Sequence, residues 1–169
     1  MVTMRSEHHW RLRPLADSDI PFVAQVEADL FGAEAWSQEV LHDELHGPGH
    51  EFKTYSVLYS ASQPEAIAGY AGVFCADVAD VLTIATVPDC RRRGGGRHLL
   101  RHLIEVACKQ NCSELFLEVR VSNEAAITLY EREDFTRLTV RKNYYMAPME
   151  DALIMRRVLR EGAHRPIGI

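Results

Sequence analysis

The chain has 169 residues, a formal net charge of −5, 47% hydrophobic residues and 25% charged residues. That length suits one domain with a proper core, and the composition is ordinary for a globule. No apolar run approaches a membrane span, residues 1–10 do not read as a signal peptide, and an acidic chain lacks a nucleic-acid binder's broad basic face, so the expected setting is the cytoplasm, without membrane or nucleic acid as partner.

Arg11 to Leu15 reads as a first strand. Asp17-Ser18-Asp19 reads as a helix N-cap cluster, and Ile20, Phe22, Val23, Val26, Ala28 and Leu30 follow at helical spacing. Phe31-Gly32-Ala33 breaks that helix. Trp36-Ser37 opens a second, with Ser37 as its cap and Val40, Leu41 and Leu45 on its apolar side. His42 and His46 have a spacing that a metal can use, but no matching carboxylate accompanies them. They read as solvated or groove-lining, and no metal is expected. Gly47-Pro48-Gly49 ends the segment. Phe52 to Ser60 alternates as a strand, Ser62 to Glu65 makes a hairpin turn, and Ala66 to Cys75 is the partner strand. Cys75, Cys90, Cys108 and Cys112 are scattered, which suits free thiols.

Residues 82–104 hold the most informative stretch. Asp77 to Asp80 reads as a turn into a β-branched strand that Pro88 ends. Arg91 to Gly96 form a basic turn, and Leu99, Leu100, Leu103, Ile104 and Ala107 recur at helical spacing. Gly94, Gly95 and Gly96 at a helix start let backbone N–H groups point at one anion. Arg91, Arg92, Arg93 and Arg97 add positive potential. The pattern is neither a Walker loop nor the dinucleotide fingerprint. It reads as a pyrophosphate cradle.

Beyond it, Leu115 to Val121 reads as a strand. Ser122 and Asn123 cap a helix with Ala126, Ile127 and Tyr130 on its apolar side. Phe135 to Tyr145 and Asp151 to Arg157 are two last strands. Residues 1–159 are expected to form the domain and 160–169 a tail without pattern. No internal repeat or linker interrupts the chain. The order β-α-α-β-β-β-α-β-α-β-β predicts an α/β (mixed α+β) domain with a mixed sheet flanked by helices.

Val87-Pro88-x-x-Arg91-x-x-Gly94-x-Gly96-x-x-Leu99-Leu100 resembles the acetyl-CoA loop of the GNAT N-acetyltransferases, with Gly95 where that family usually carries an aliphatic residue. The element order is also that of the GNAT fold, and the resemblance covers nearly the whole chain. It implies a splayed, mostly antiparallel sheet. It also implies acetyl-CoA as co-substrate, its pantetheine arm bonded to the backbone of Ile84, Ala85 and Thr86.

Leu117-Glu118-Val119-Arg120-Val121-Ser122-Asn123, followed by Tyr130, Arg141-Lys142-Asn143-Tyr144-Tyr145 and Glu150-Asp151-Ala152, resembles the RimI subgroup of that family. Asp134-Phe135 departs from its usual Gly-Phe, and aspartate tolerates a left-handed turn better than most residues. The subgroup acetylates the N-terminal alanine of a small-subunit ribosomal protein, so a protein N-terminus is the implied partner. The resemblance implies that Glu118 is the general base, Tyr130 the general acid, and that Asn123 contacts the coenzyme. Alone, Glu118 reads equally as a surface residue paired with Arg120, and Tyr130 as a core aromatic. Trp36, Tyr144 and Tyr145 are candidates for a peptide groove and equally for ordinary packing.

The chemistry asks for such groups. An amine attacks a thioester only when uncharged, and an α-amine has a pKa of ~7.7–8.0 against ~10.4 for lysine. A modest base therefore suffices, and the departing thiolate needs a proton donor. Oxyanion stabilisation is expected from a backbone N–H of the splayed strand near Thr86. Two other readings stay open: a relaxed amine acetyltransferase acting on lysines or small molecules, and a non-catalytic acyl-CoA-binding sensor.

Overall fold

The computed structural model describes residues 9–160, and its elements follow the expected order. Residues 1–8 and nearly all of the expected tail lie outside the described residues. The strands are Trp10–Pro14 (β1), Lys53–Ser60 (β2), Gln63–Cys75 (β3), Ala79–Thr86 (β4), Glu114–Arg120 (β5), Thr136–Met146 (β6) and Met149–Val158 (β7). The helices are Ile20–Phe31 (α1), Gln38–His46 (α2), Gly95–Lys109 (α3) and Glu124–Arg132 (α4). One sheet runs β1-β2-β3-β4-β5-β7-β6. Every pairing is antiparallel except β4 with β5.

The amphipathic patterns decide which helix covers which face. Ile20, Val23 and Val26 of α1 and Leu41 of α2 pack with Tyr55, Val57, Tyr70 and Ala85 on one side of the sheet. Leu99, Leu100, Leu103, Ile104 and Ala107 of α3 join Ile127 and Tyr130 of α4 on the other side, against Leu115, Leu117, Val119 and Met155. Leu99, Leu100 and Leu103 are fully buried, each contributing about 1.5–3 kcal/mol of transfer free energy.

The local signals mostly land. Ser37 caps α2 by accepting from Val40 N at 3.3 Å, and Asn123 caps α4 by accepting from Ala126 N at 3.2 Å. Asp134 takes the left-handed conformation at φ 64°. Three expectations shift. Asp17–Asp19 forms a 3-10 turn, and the Asp19 carboxylate accepts from Ala16 N and Arg13 instead of capping α1. The β2–β3 turn is tighter than Ser62–Glu65, because Gln63 already pairs with Ser60. β4 begins at Ala79, inside the expected turn, because Ala79 and Asp80 pair on both sides.

Candidate active site

β4 and β5 pair only at Ala79↔Leu115 and Asp80↔Phe116. The cause sits in the next turn of β4. Gly72 pairs with Thr83 and Val73 with Val81, so Leu82 is an extra residue opposite β3. Such a bulge bends its strand, and β4 leaves β5 there while β5 stays paired with β7 along Glu114–Arg120. The gap widens into a cleft of about 740 Å³, walled by the end of α1, the α1–α2 segment, β4, β5 and the end of β6.

Glu118 and Tyr130 reach this cleft from opposite faces of the sheet. Along β5 the buried residues are Leu115, Leu117 and Val119, on the α3–α4 side. The two-residue period therefore turns Glu118 and Arg120 toward the α1–α2 side. Tyr130 lies on α4, its ring packed on Phe135 at 6.0 Å between centroids, yet it too lines the cleft. The parted strands let one cavity take a side chain from each face.

Glu118 is one-third exposed and ion-paired with Arg141, Oε1 to Nη1 at 2.8 Å. Its expected partner Arg120 is engaged elsewhere. The Glu118 carboxylate, with partial burial adding to it, raises the Tyr144 pKa. Burial pushes the Tyr130 phenol up to about 12, with Tyr145 adding to the shift. The Tyr130 hydroxyl has no hydrogen-bond partner among the described residues. Tyr145 is likewise raised to about 12, by burial and then by Glu118. Trp36, Tyr144 and Tyr145 all line the cleft. Trp36 stands edge-on to Tyr55, and the Arg120 guanidinium lies 4.1 Å above the Tyr145 ring.

The cradle lies at the start of α3. Gly94 is left-handed at φ 83°, a conformation that glycine adopts without strain. The first bond of the helix is His98 N to Gly94 O at 3.0 Å. The N–H groups of Gly95, Gly96 and Arg97 therefore have no acceptor within the helix, which makes this end an anion site. Trp10 Nε1 holds the loop at Arg93 O, 2.9 Å away, and Arg91 Nε reaches Thr86 O at 3.4 Å. Arg92 is left-handed at φ 59°.

Two of the expected coenzyme residues have other engagements. A Cβ on Gly95 would stand 2.8 Å from Leu58 Cδ2, so its missing side chain makes room for the core. Arg97 Nε donates to the buried Glu133 at 2.5 Å, beside Arg101. A Cβ on Gly96 would meet only Thr86 Oγ1 at 3.5 Å and Leu129 at 3.6 Å, so nothing inside the protein forbids a side chain there. Ile84 lines the cleft, whereas the Ala85 side chain faces the core. Thr86 lies beside Gly96. Asn123 lines the cleft while its carbonyl oxygen caps α4. This cradle and the unpaired edge of β4 suit a diphosphate carrying an extended, amide-bearing arm.

Two carboxylates at the cleft, Glu34 and Glu27, are absent from the motif reading. Glu34 Oε2 meets Arg120 Nη2 at 2.6 Å, and its Oε1 accepts from Met146 N at 2.8 Å and Ala147 N at 3.4 Å. Arg120 also reaches Glu150 at 3.3 Å. Together these bonds tie the α1–α2 segment to the β6–β7 hairpin. Glu27 is buried on α1 and accepts from Tyr70 OH at 2.8 Å, Thr83 Oγ1 at 3.3 Å and Trp36 N at 3.2 Å. The sequence does carry a signal for Glu27. It sits in the stripe of Ile20, Val23 and Leu30, where a carboxylate is out of place. Among the described residues no group of three or more His, Cys, Asp and Glu is placed to hold a metal. His46 instead meets Asp17 at 2.6 Å.

The parted strands, the glycine cradle and the two-faced cleft define an acyl-coenzyme A transferase architecture, and the sequence pattern of the Acetyltransferase (GNAT) family matches residues 20–135. The chain belongs to the GNAT family and is an acetyl-CoA-dependent N-acetyltransferase. It is 36% identical over 143 residues to the [ribosomal protein bS18]-alanine N-acetyltransferase of Salmonella typhimurium, covering 83% of this chain and 92% of that protein. The crystal structure of the ribosomal-protein-S18-alanine N-acetyltransferase from Escherichia coli superposes with a TM-score of 0.78 at 32% identity, over 92% of this chain and 97% of that one. An Arabidopsis thaliana protein solved in complex with acetyl-CoA shares the fold at 17% identity, with a TM-score of 0.77 over 89% of this chain and 98% of that one.

Proposed function

We propose that this enzyme transfers the acetyl group of acetyl-CoA to the α-amine of an N-terminal alanine, that of ribosomal protein bS18, in the cytoplasm. The relatives named for that reaction match most of the chain. The observation that carries the reading is that one cleft between the parted strands is lined by both a carboxylate and a buried phenol, with Gly96 of the glycine cradle beside Leu129, the residue before that phenol.

Gly94, Gly96 and Arg91 to Arg93 hold the pyrophosphate, with the N–H groups that open α3. Asn123 and the backbone from Ile84 to Thr86 orient the arm. The coenzyme supplies an acetyl thioester. Glu118 accepts the proton that the α-ammonium must lose, directly or through a water. Tyr130, with its pKa near 12, keeps its O–H at every working pH and offers it to the departing sulfur. Trp36, Tyr144 and Tyr145 line the groove for the first residues of the peptide.

The test is mass spectrometry of peptides that differ only in their first two residues, each with lysine blocked and unblocked. Alanine-first peptides, the bS18 N-terminus among them, react fastest and at the α-amine. Acetylation mainly on lysine overturns the assignment.

A further inference from the structure

Three carboxylates line the cleft: Glu27, Glu34 and Glu118. Two have cations. Glu34 is paired with Arg120 and Glu118 with Arg141. Glu27 is the most buried of the three and has no cation partner among the described residues. Its donors are a phenol, a hydroxyl and one backbone N–H. A carboxylate offers about four acceptor positions, and three are taken: two on Oε1 and one on Oε2.

A buried charge is costly unless it is paired. Neutral donors alone leave this one without a counter-charge. Its position says what would supply it. Thr83, its partner on β4, lies just past the bulge at Leu82. Glu27, Thr83 and Glu118 all line the cleft between the parted strands. Glu27 therefore stands on the α1 wall of the cavity that Glu118 also lines, on the same side of the sheet.

We propose that Glu27 is the docking carboxylate for the substrate amine, accepting an N–H of the incoming ammonium on Oε2 and supplying the counter-charge for it. The proposal rests on the amine-acetylating role assigned above. It divides the work between two acids. Glu27 binds the charged amine, and Glu118 removes its proton. Glu27 thereby selects for cationic nitrogen over amides and hydroxyls, because a neutral group leaves the buried charge uncompensated.

A binding cycle separates this from a purely structural role in holding Trp36 and Thr83. An alanine-first peptide and its des-amino analogue, with propionyl in place of alanyl, are titrated calorimetrically into the protein loaded with coenzyme A. Wild type binds the amine peptide tighter by about tenfold or more, the order of a charge-assisted hydrogen bond. Glu27→Gln removes that preference, and the two peptides bind alike. A preference that persists undiminished in Glu27→Gln, even if both affinities drop together, overturns the proposal.

If Glu27→Gln does not fold, Glu118→Gln decides. A preference that survives it supports Glu27, as the remaining cleft carboxylate without a cation. One that vanishes assigns the amine to Glu118 and overturns the proposal. Wild-type turnover of the alanine peptide tests the substrate assignment separately. If only a lysine-bearing, N-blocked peptide turns over, that assignment fails, and the same cycle with norleucine replacing lysine still tests Glu27.

Discussion

Arg141 on β6 stands 2.8 Å from Glu118 on β5, and its guanidinium lies 5.2 Å from the centre of the Tyr144 ring. The proposed base is thus held in place from the β6 side. Glu118→Gln keeps the shape and loses the basicity. The rate at pH 7 should fall by ~10²–10⁴, the range of general-base catalysis. The loss should shrink at high pH, where more of the substrate amine is already neutral. Arg141 itself is more than half exposed, and such ion pairs contribute little to stability. Arg141→Ala should fold normally and change kcat/KM far less than Glu118→Gln does. Steady-state rates from pH 6 to 10 check both, and full activity of Glu118→Gln at pH 7 in a coenzyme-binding protein removes it as the base.

Tyr130 behaves differently with pH. Burial raises its pKa to about 12, so the phenol stays protonated through the whole assay range. Raising the pH cannot replace the lost hydroxyl in Tyr130→Phe. Its deficit should be the same at pH 6 as at pH 10, with coenzyme affinity unchanged. A deficit that closes at high pH, as for Glu118→Gln, would assign Tyr130 another role.

The glycines of the cradle should separate stability from binding. A leucine at Gly95 has no room beside Leu58 Cδ2, already 2.8 Å from the Cβ position, and the Trp10 ring at 3.7 Å. Gly95→Leu should destabilise the fold by about 1–3 kcal/mol, the usual cost of overpacking. Gly96 has ordinary clearance to Thr86 and Leu129. Gly96→Asp should melt near the wild-type temperature yet lose acetyl-CoA affinity, because the side chain blocks the cradle and adds negative charge. Urea unfolding and calorimetry measure the two effects, and unchanged affinity in Gly96→Asp would remove the loop from coenzyme binding.

Glu34 joins the two walls of the cleft through Arg120, Met146 and Ala147. Glu34→Ala frees two backbone N–H groups of the β6–β7 hairpin and leaves Arg120 with Glu150. The peptide KM should rise while acetyl-CoA affinity stays put, since the partners of Glu34, namely Arg120, Met146 and Ala147, lie outside the cradle. Initial rates with each substrate varied in turn measure this. A matching loss of coenzyme affinity would contradict it.

Asp19 makes acid stability a local question. Hydrogen bonds from Arg13 lower its pKa below 3.8, outweighing burial, and Ala16 N adds to the effect. A carboxyl depressed on folding stabilises the native state fully above its unfolded pKa, and that contribution is lost as pH falls through the folded value. Asp19→Asn should therefore be less stable than wild type at pH 7, with the gap closing below pH 3.8. Denaturant midpoints at pH 7 and in acid check the sign. A gap that widens in acid would be wrong for this linkage.

The order of the elements, both apolar helix stripes facing the sheet, the glycine cradle and the Glu118–Tyr130 motif were legible in the chain itself. All but the last rest on local signals: periods of two and 3.6, caps at Ser37 and Asn123, and Pro88 after a β-branched run; the Glu118–Tyr130 pair rests on the resemblance of its motif to the RimI subgroup. The tertiary structure decided how those pieces meet. The bulge at Leu82 exists only as a register shift against Gly72 and Val73, and it is what parts β4 from β5. Without that gap, Glu118 and Tyr130 would face opposite sides of a closed sheet. The partner of Glu118 is Arg141, two strands over in sheet order, and not Arg120, two residues along β5, because Glu34 draws Arg120 to the far wall. Glu34 and Met146 lie 112 positions apart, and Glu27 meets Thr83 across 56. Local propensity carries no information over such distances. Those contacts are set by the sheet order and by the packing of α1 over β4.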